Sequence, residues 1–265
     1  MTERQIGRVQ TLWRYPVKSL RGETVTEAEI TDRGIAGDRV MALRELDRGG
    51  IMSARFWAAM LELGARYDAA AADSETGIHI DFPNGPAVRA DDPAAQSLLS
   101  ERFGRPIRLE KVRRDRPTAD ELAAVMRGDA MPPARDFFDE DVLHLIASGT
   151  LTHLRRLQPA SDFDPRRFRA NIYIDTCDSN DGFIEDQWLG GTLAIGETVR
   201  IAGLCPAIRC AITTHPQPGL PHDPAILRTA AQHHRAYVGV FASVAEPGLV
   251  RVGDPVVLVM NPEGA

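Results

Sequence analysis

Cys210 is the residue of this sequence whose chemistry stands out first. Arg209 precedes it, and a neighbouring cation favours the thiolate, the form of cysteine that attacks electrophiles and binds soft metals. Free cysteine is also among the residue types most often buried as a small apolar side chain, so a structural role stays open. Cys205 has no second ligand pair to complete a zinc site, and Cys177 is most simply a packed residue at the end of a strand.

Cations beside hydroxyl or amide side chains form a second group of candidates. Arginine can bind a phosphate through two parallel hydrogen bonds, and lysine binds it as a point charge. Several such residues converging on one place would suit a cofactor that carries a phosphate, whereas isolated surface cations are merely solvated. The stretches are Lys18-Ser19, Gly37-Asp38-Arg39, Ser53-Ala54-Arg55, and Arg169 with Asn171.

Several common catalytic and binding motifs are absent from the sequence. None of the histidines makes a His-x-x-x-His pair with the glutamate of a zinc protease. There is also no phosphate-binding loop, no Gly-x-Gly-x-x-Gly after a strand and no Gly-x-Ser-x-Gly nucleophile elbow. These absences argue against the chemistries that depend on those motifs.

The composition is that of an ordinary globular protein. The chain has 265 residues, of which 43% are hydrophobic and 26% charged, close to the average for folded domains. A net charge of −6 provides no global positive field for nucleic acid or an anionic membrane. No apolar run approaches the roughly 18 residues of a membrane span, and the first residues are charged, so we expect a cytoplasmic protein without a nucleic-acid or membrane partner. Three cysteines are too few for an internal iron–sulfur cluster held by four thiolates.

Short strands dominate the element pattern, which predicts an α+β fold with a mostly antiparallel sheet or barrel. The predicted strands mix β-branched, aromatic and polar residues and are bounded by Gly, Pro and Asp. They cover residues 6–15, 24–30, 40–45, 77–82, 107–112, 142–147, 171–175, 198–202, 211–214, 237–244 and 255–260.

Capping patterns predict a few helices between the strands. One covers residues 93–103, and another, over 118–126, opens with a Thr-x-x-Glu capping box. Ser148 is expected to cap a third helix, and Asp223 with the following proline to open a fourth that reaches about His234.

A stretch rich in Gly, Pro, Arg and Asp lies at residues 127–136. Such a composition is typical of a linker. We therefore predict a domain boundary there, between an N-terminal β domain of residues 1–126 and a second domain of residues 127–265.

Six motifs in a fixed order give the sequence a resemblance to a known family. They are Tyr15-Pro16-Val17-Lys18-Ser19, Gly37-Asp38-Arg39, Ser53-Ala54-Arg55, Arg167-Phe168-Arg169-Ala170-Asn171-Ile172, Arg209-Cys210-Ala211-Ile212-Thr213-Thr214 and Val252-Gly253-Asp254-Pro255-Val256. The chain resembles the MOSC family, proteins similar to the C-terminal domain of molybdenum cofactor sulfurase. It is most similar to the branch with an N-terminal β-barrel domain, which includes the mitochondrial amidoxime-reducing component and bacterial relatives. The resemblance runs from about residue 6 to residue 258.

The resemblance implies a strand-dominated fold with a MOSC-type β-barrel core, an N-terminal β-barrel-like domain and a few flanking helices. It also implies a bound molybdenum cofactor, a molybdopterin that carries the metal. Cys210 matches the metal-ligating cysteine of the family, and its soft thiolate would join the dithiolene sulfurs of the pterin. The positions that match or adjoin the cofactor-binding residues are Lys18, Ser19, Arg39, Arg55, Ser148, Thr150, Arg169, Asn171 and Thr213.

The implied activity is the reduction of a small N-hydroxylated or N-oxide substrate, with electrons from a separate flavin or iron–sulfur protein. One position departs from the family pattern, because His215 follows the paired threonines where the family typically has Asp-Pro. Because an imidazole replaces a carboxylate near the expected metal, the resemblance does not determine the substrate class. Two alternatives therefore remain, a carrier of sulfur or of the cofactor and a specialised biosynthetic enzyme, both using Cys210.

Overall fold

The computed structural model describes residues 2–68, 77–112, 143–176 and 182–260. These residues form two compact units, each discontinuous in sequence. The barrel unit contains residues 2–14, 24–36, 143–176 and 182–260, and the N-terminal unit contains residues 15–23, 37–68 and 77–112. The boundary predicted between residues 126 and 127 lies outside the described residues and stays a prediction, as do the helix at 118–126 and the linker at 127–136.

Strands outnumber helices in the described part of the chain. The strands are β1 (Thr2–Arg14), β2 (Glu23–Val25), β3 (Glu27–Thr31), β4 (Gly34–Ile35), β5 (Met41–Glu45), β6 (Gly64–Tyr67), β7 (Ile78–Asp81), β8 (Val88–Arg89), β9 (Ile107–Lys111), β10 (Leu143–Ala147), β11 (Ile172–Thr176), β12 (Thr192–Ile195), β13 (Val199–Ile208), β14 (Tyr237–Glu246), β15 (Gly248–Arg251) and β16 (Pro255–Met260). The α-helices are α1 (Pro93–Phe103), α2 (Ser148–Leu157) and α3 (Ala225–His234). Among the described residues, no helix is long and apolar enough to cross a membrane.

The barrel unit is built on a closed ring of seven strands. Their order is β11-β10-β14-β13-β12-β16-β1, and β1 pairs back with β11. Strands β10 and β11 are parallel, and the other pairs in the ring are antiparallel. Closure leaves the ring without free strand edges, and buried side chains such as Val9, Leu145 and Trp188 fill its core. The expected strand-dominated α+β fold with a β-barrel core is confirmed.

Two further sheets and one helix make up most of the N-terminal unit. Strand β5 pairs with β9, and β6, β7 and β8 form a three-stranded sheet. Helix α1 has the predicted bounds because Asp92 caps it, accepting a hydrogen bond from the Ala94 amide at 2.8 Å, and because Gly104 ends it in a left-handed conformation with φ of 65°.

Two local predictions are wrong. Residues 211–214 were expected to be a strand, and they form a 3₁₀ turn, Ala211–Thr214, because the hydroxyls of Thr213 and Thr214 bond back to the carbonyls of Cys210 and Ala211. Ser148 does not cap α2, because Ala147 occupies the cap position without a side-chain bond.

Candidate functional site

Cys210 lies in the barrel unit, just after β13, at the start of the turn Ala211–Thr214. Its thiol is free and partly buried. Its carbonyl accepts two hydrogen bonds from Thr213, one from the amide at 3.2 Å and one from the hydroxyl at 3.0 Å. Because Thr213 is wholly buried, these bonds hold the backbone of Cys210 in one conformation. We call residues 210–214 the Cys210 turn.

Arg167 is a fully buried arginine that contacts the Cys210 turn. Its guanidinium donates to the carbonyls of Thr213 at 3.4 Å, His215 at 3.5 Å and Pro221 at 2.9 Å. Its Nε donates to the carbonyl of Asp162 at 2.8 Å. Burial lowers the pKa of Arg167, and nearby carboxylates act in the opposite direction.

Arg209 occupies the position before Cys210 and points into the barrel unit. Its amide donates to the Ala236 carbonyl at 2.7 Å, and its guanidinium donates to the Phe168 carbonyl. One guanidinium nitrogen lies 3.4 Å from Nε2 of the buried His144. Residues on both sides of the thiol are therefore bonded to the segment 167–168. The Arg209 side chain bonds to the Phe168 carbonyl, and the Arg167 side chain bonds to the Thr213 carbonyl.

Asn171 and Arg169 follow that segment and differ in what surrounds them. Asn171 is fully buried, and its side chain accepts from the His144 amide at 3.2 Å and donates to the Trp13 carbonyl at 3.3 Å. It thus joins β1 and β10 inside the barrel unit. Arg169 has a positive φ of 56° at the end of a 3₁₀ turn, Pro165–Phe168, and is 8% exposed.

The polar side chains at the start of α2 have partners within the barrel unit. The Ser148 hydroxyl donates to Asp175 at 3.1 Å and accepts from the Thr176 amide at 3.0 Å. The Thr150 hydroxyl donates to the carboxylate of Glu185 and accepts from the Ile184 amide at 2.9 Å. These contacts hold α2 against neighbouring segments, and any contact of Ser148 or Thr150 with a cofactor stays a prediction.

Glu185 is an ionisable group that the sequence analysis missed. It is 2% exposed, and its carboxylate accepts from the Ala147 amide at 2.7 Å as well as from Thr150. Burial raises its pKa from 4.5 to about 7, although the bonds from Thr150 and Ala147 favour the charged form. The segment Phe-Ile-Glu-Asp-Gln-Trp carries the acid between large apolar residues, which was the available signal.

The N-terminal unit brings together three predicted residues, Lys18, Ser19 and Arg39. The Arg39 amide donates to the Tyr15 carbonyl at 2.7 Å, and the Lys18 amide donates to the Met41 carbonyl at 2.8 Å. The segments 15–19 and 38–41 therefore run side by side. Lys18 and Arg39 are both partly buried cations.

Asp38 organises the backbone of this pair of segments. It is 3% exposed, accepts from the Tyr15 amide at 2.6 Å and forms an ion pair with Arg39, whose guanidinium lies 5.2 Å from the centre of the Tyr15 ring. The Arg39 side chain is thereby held over the start of the Lys18 segment.

Arg55 lies on a different segment of the N-terminal unit. Its side chain is exposed, and its guanidinium lies 5.5 Å from the ring centre of Phe56, which is itself 78% exposed. Its amide bonds to the Ser53 hydroxyl at 3.3 Å. Its place beside Lys18 and Arg39 stays a prediction.

Unusual backbone conformations coincide with predicted binding residues. Five non-glycine residues in the described part of the chain have a positive φ, and two of them, Arg235 and Ala236, follow the end of α3, where this conformation is common. The other three are Ser19, Arg39 and Arg169. A left-handed residue with a β-carbon costs of order 1–3 kcal/mol, and such residues cluster at functional sites.

Metal-binding side chains do not cluster in the structure. Within the described ranges, no group of three or more His, Cys, Asp or Glu residues is arranged to hold a metal ion. Cys177 lies outside these ranges, and Cys205 lies on β13.

Two family models match the chain. The MOSC domain model matches residues 132–257, and the model of the MOSC N-terminal beta barrel domain matches residues 6–103. The chain belongs to the MOSC family. In this MOSC protein the first match contains Cys210 and Arg167, and the second contains Lys18 and Arg39.

Curated relatives of this MOSC protein cover nearly its whole length. It is similar to mitochondrial amidoxime reducing component 2 of Rattus norvegicus, with 25% identity over 95% of this chain and 83% of the relative. It is also similar to the human mitochondrial amidoxime-reducing component 1, with 26% identity over 96% and 84%. The crystal structure of the YUAD protein from Bacillus subtilis shares the fold, with a TM-score of 0.53, 10% identity and 98% coverage of both chains.

Proposed function

We propose that this MOSC protein is a molybdenum-cofactor-dependent reductase of small N-hydroxylated or N-oxide compounds. The observation that carries the proposal is the free, partly exposed thiol of Cys210, presented by a turn whose backbone is fixed by buried groups. A soft thiolate is a suitable ligand for a metal that also takes sulfur ligands from a pterin. The amidoxime reducing components named above support the substrate class.

The residues of each unit fit such a cofactor. In the barrel unit, Cys210 would supply the metal ligand and the nearly buried Arg169 a cation. In the N-terminal unit, Lys18, Ser19 and Arg39 would supply a point charge, a hydroxyl and a guanidinium, which are the groups that bind phosphate. The positive φ values of Ser19, Arg39 and Arg169 support a binding role.

The reaction would consume two electrons. When bound, the cofactor would supply the chemistry by which an N–O bond is reduced. An N-hydroxylated nitrogen takes up two electrons and two protons, and the products are the parent nitrogen compound and water. The electrons would come from a separate reduced flavin or iron–sulfur protein. The part of this chain would be to ligate the metal through Cys210 and to hold the anionic part of the cofactor through its cations.

The test compares Cys210→Ser with Cys205→Ser in protein made in a host that synthesises molybdenum cofactor. We expect wild type and Cys205→Ser to contain about one molybdenum and one pterin per chain and to reduce N-hydroxylated bases. In Cys210→Ser we expect the fold and most of the pterin to remain, with loss of activity and a changed absorption spectrum, because a hydroxyl is a harder and less ionised donor.

Two results would contradict the proposal. Wild-type protein free of metal and pterin, with sulfane sulfur on Cys210, would favour the carrier function. Equal loss of activity in both variants with the fold intact would refute a single-ligand role for Cys210 and point to a mechanism with two cysteines.

A further inference from the structure

Arg167 is a buried charge whose contacts are unusual. Its side chain is 0% exposed, and among the described residues its hydrogen bonds go to backbone carbonyls at positions 162, 213, 215 and 221. A charge removed from water is costly unless its hydrogen bonds are satisfied. Burying a guanidinium therefore gives a loop little net stabilisation. The four bonds instead hold the joined backbone segments in a fixed geometry.

The four carbonyls belong to three separate segments. Asp162 precedes the 3₁₀ turn that carries Arg167, Thr213 is in the Cys210 turn, and Pro221 ends the loop of residues 215–221. The planar guanidinium can donate in several fixed directions at once, whereas the ammonium of lysine is a compact point charge. Arginine can therefore join segments that lysine could not join in the same geometry.

The Cys210 turn has bonds of its own, and most of them are local. The Thr213 amide and hydroxyl bond to the carbonyl of Cys210, and the His215 amide bonds to the Ile212 carbonyl at 3.3 Å. One longer-range bond, from the Asp223 amide to the Thr214 carbonyl at 2.9 Å, joins the turn to the start of α3. Arg167 adds the connections to residues 162 and 221, and these bonds together set the position from which the thiol is presented.

We propose that Arg167 is a positioning residue, which locks the Cys210 turn to the 215–221 loop and so sets the direction of the Cys210 thiol. The inference rests on the proposed function only where it takes the Cys210 thiol to be a metal ligand. Its structural content, that one guanidinium controls the exposure and mobility of one thiol, does not depend on the cofactor.

Arg166 provides a matched control. It is the adjacent residue in the same 3₁₀ turn, but its side chain is 48% exposed and pairs with Asp164 at 2.8 Å. An exposed ion pair of this kind contributes little to stability. Arg166→Lys therefore makes the same chemical change one position away without touching the Cys210 turn.

The experiment measures maleimide labelling of the cofactor-free full-length chain at fixed pH, with each cysteine quantified by peptide mass spectrometry. In Arg167→Lys we expect Cys210 to react at least about tenfold faster than in wild type, because charge-assisted bonds that restrain the turn are lost. Cys205 on β13 should keep its wild-type rate, since the barrel strands are not bonded to Arg167. Arg166→Lys should leave both rates unchanged.

Three results would overturn the inference. One is a wild-type Cys210 rate in folded Arg167→Lys. Another is equal acceleration of Cys205 and Cys210, which would mean general loosening. If Arg167→Lys does not fold, hydrogen exchange of wild-type protein decides, because the amides of Thr213, Gln217 and Asp223 should be protected together. Exchange at these amides as fast as in the exposed turn at residues 47–48 would refute the proposed role of Arg167.

A spectroscopic measurement connects the inference to the proposed function. In cofactor-loaded, partly reduced protein, we expect the paramagnetic resonance signal of the metal to change in Arg167→Lys and to stay unchanged in Arg166→Lys. An unchanged signal in Arg167→Lys would show that the residue does not position the ligand. Absence of metal from wild type would remove the proposed function, whereas the labelling rates would still decide the role of Arg167.

Discussion

The buried acid Glu185 makes the stability of the barrel unit depend on pH. Its carboxylate sits at the start of α2, where it accepts hydrogen bonds from the Ala147 amide and the Thr150 hydroxyl. The informative change is Glu185→Gln, because the amide keeps an oxygen for the Ala147 bond and removes the ionisable group. We expect this variant to lose the pH dependence that Glu185 confers.

The magnitude follows from the pKa. Burial raises the pKa of Glu185 from 4.5 to about 7, a difference that corresponds to about 3.5 kcal/mol because each pKa unit is worth about 1.4 kcal/mol. The folded protein binds this proton more tightly than the unfolded chain does. The contribution of Glu185 to the free energy of unfolding is therefore fully present below about pH 4.5 and is lost as pH rises through about 7.

The assay is urea denaturation at pH 5, 6, 7 and 8, followed by tryptophan fluorescence. The free energy of unfolding of Glu185→Gln relative to wild type should rise by about 2.5 kcal/mol over this range. The control is Glu197→Gln, which makes the same change at an exposed position and should stay within about 0.5 kcal/mol of wild type throughout. A Glu185→Gln profile parallel to wild type would refute the assignment of a buried, raised-pKa carboxyl.

Two more predictions follow from the contacts. Asn171→Ala leaves the Trp13 carbonyl and the His144 amide without their side-chain partner inside the barrel unit. We therefore expect urea denaturation to show a loss of about 2–4 kcal/mol in the free energy of unfolding. A change below about 0.5 kcal/mol, the level of a surface substitution, would contradict this reasoning. Lys18→Ala should lower the pterin content of purified protein with little effect on thermal stability. Arg108→Ala, which removes an exposed cation that pairs with a carboxylate, should change neither quantity. Equal pterin content in the wild type and both variants would show that Lys18 is only a solvated cation.

Much of the fold follows from local sequence. The bounds of α1 are set by an aspartate, a proline and a glycine at its ends, and the alternation of buried and exposed residues in β3 is visible in the sequence. At the start of α3, Asp223 accepts from the Ala225 amide at 2.9 Å, as the predicted capping pattern requires. Such signals involve residues within a few positions of each other, so they can be identified without knowledge of the fold.

The candidate site shows a mixed result. Cys210 and the basic stretches could be named from residue type, neighbours and ordered motifs, and the structure brings Lys18, Ser19 and Arg39 together on adjacent segments. The motif that contains Arg167 and Arg169 could be recognised in the sequence, but which of the two arginines is fully buried could not. Burial depends on segments 162, 213 and 221, which lie far apart in sequence.

The sequence by itself determined the class of fold, the family and the one cysteine on which the proposed chemistry depends, because composition, capping patterns and motif order are properties of neighbouring residues. The tertiary structure alone decided that Ser148 bonds to β11 and that Glu185 is buried with a raised pKa. The physical reason is that a hydrogen-bond partner or a desolvated environment is supplied by distant segments. Only the folded chain brings those segments into contact.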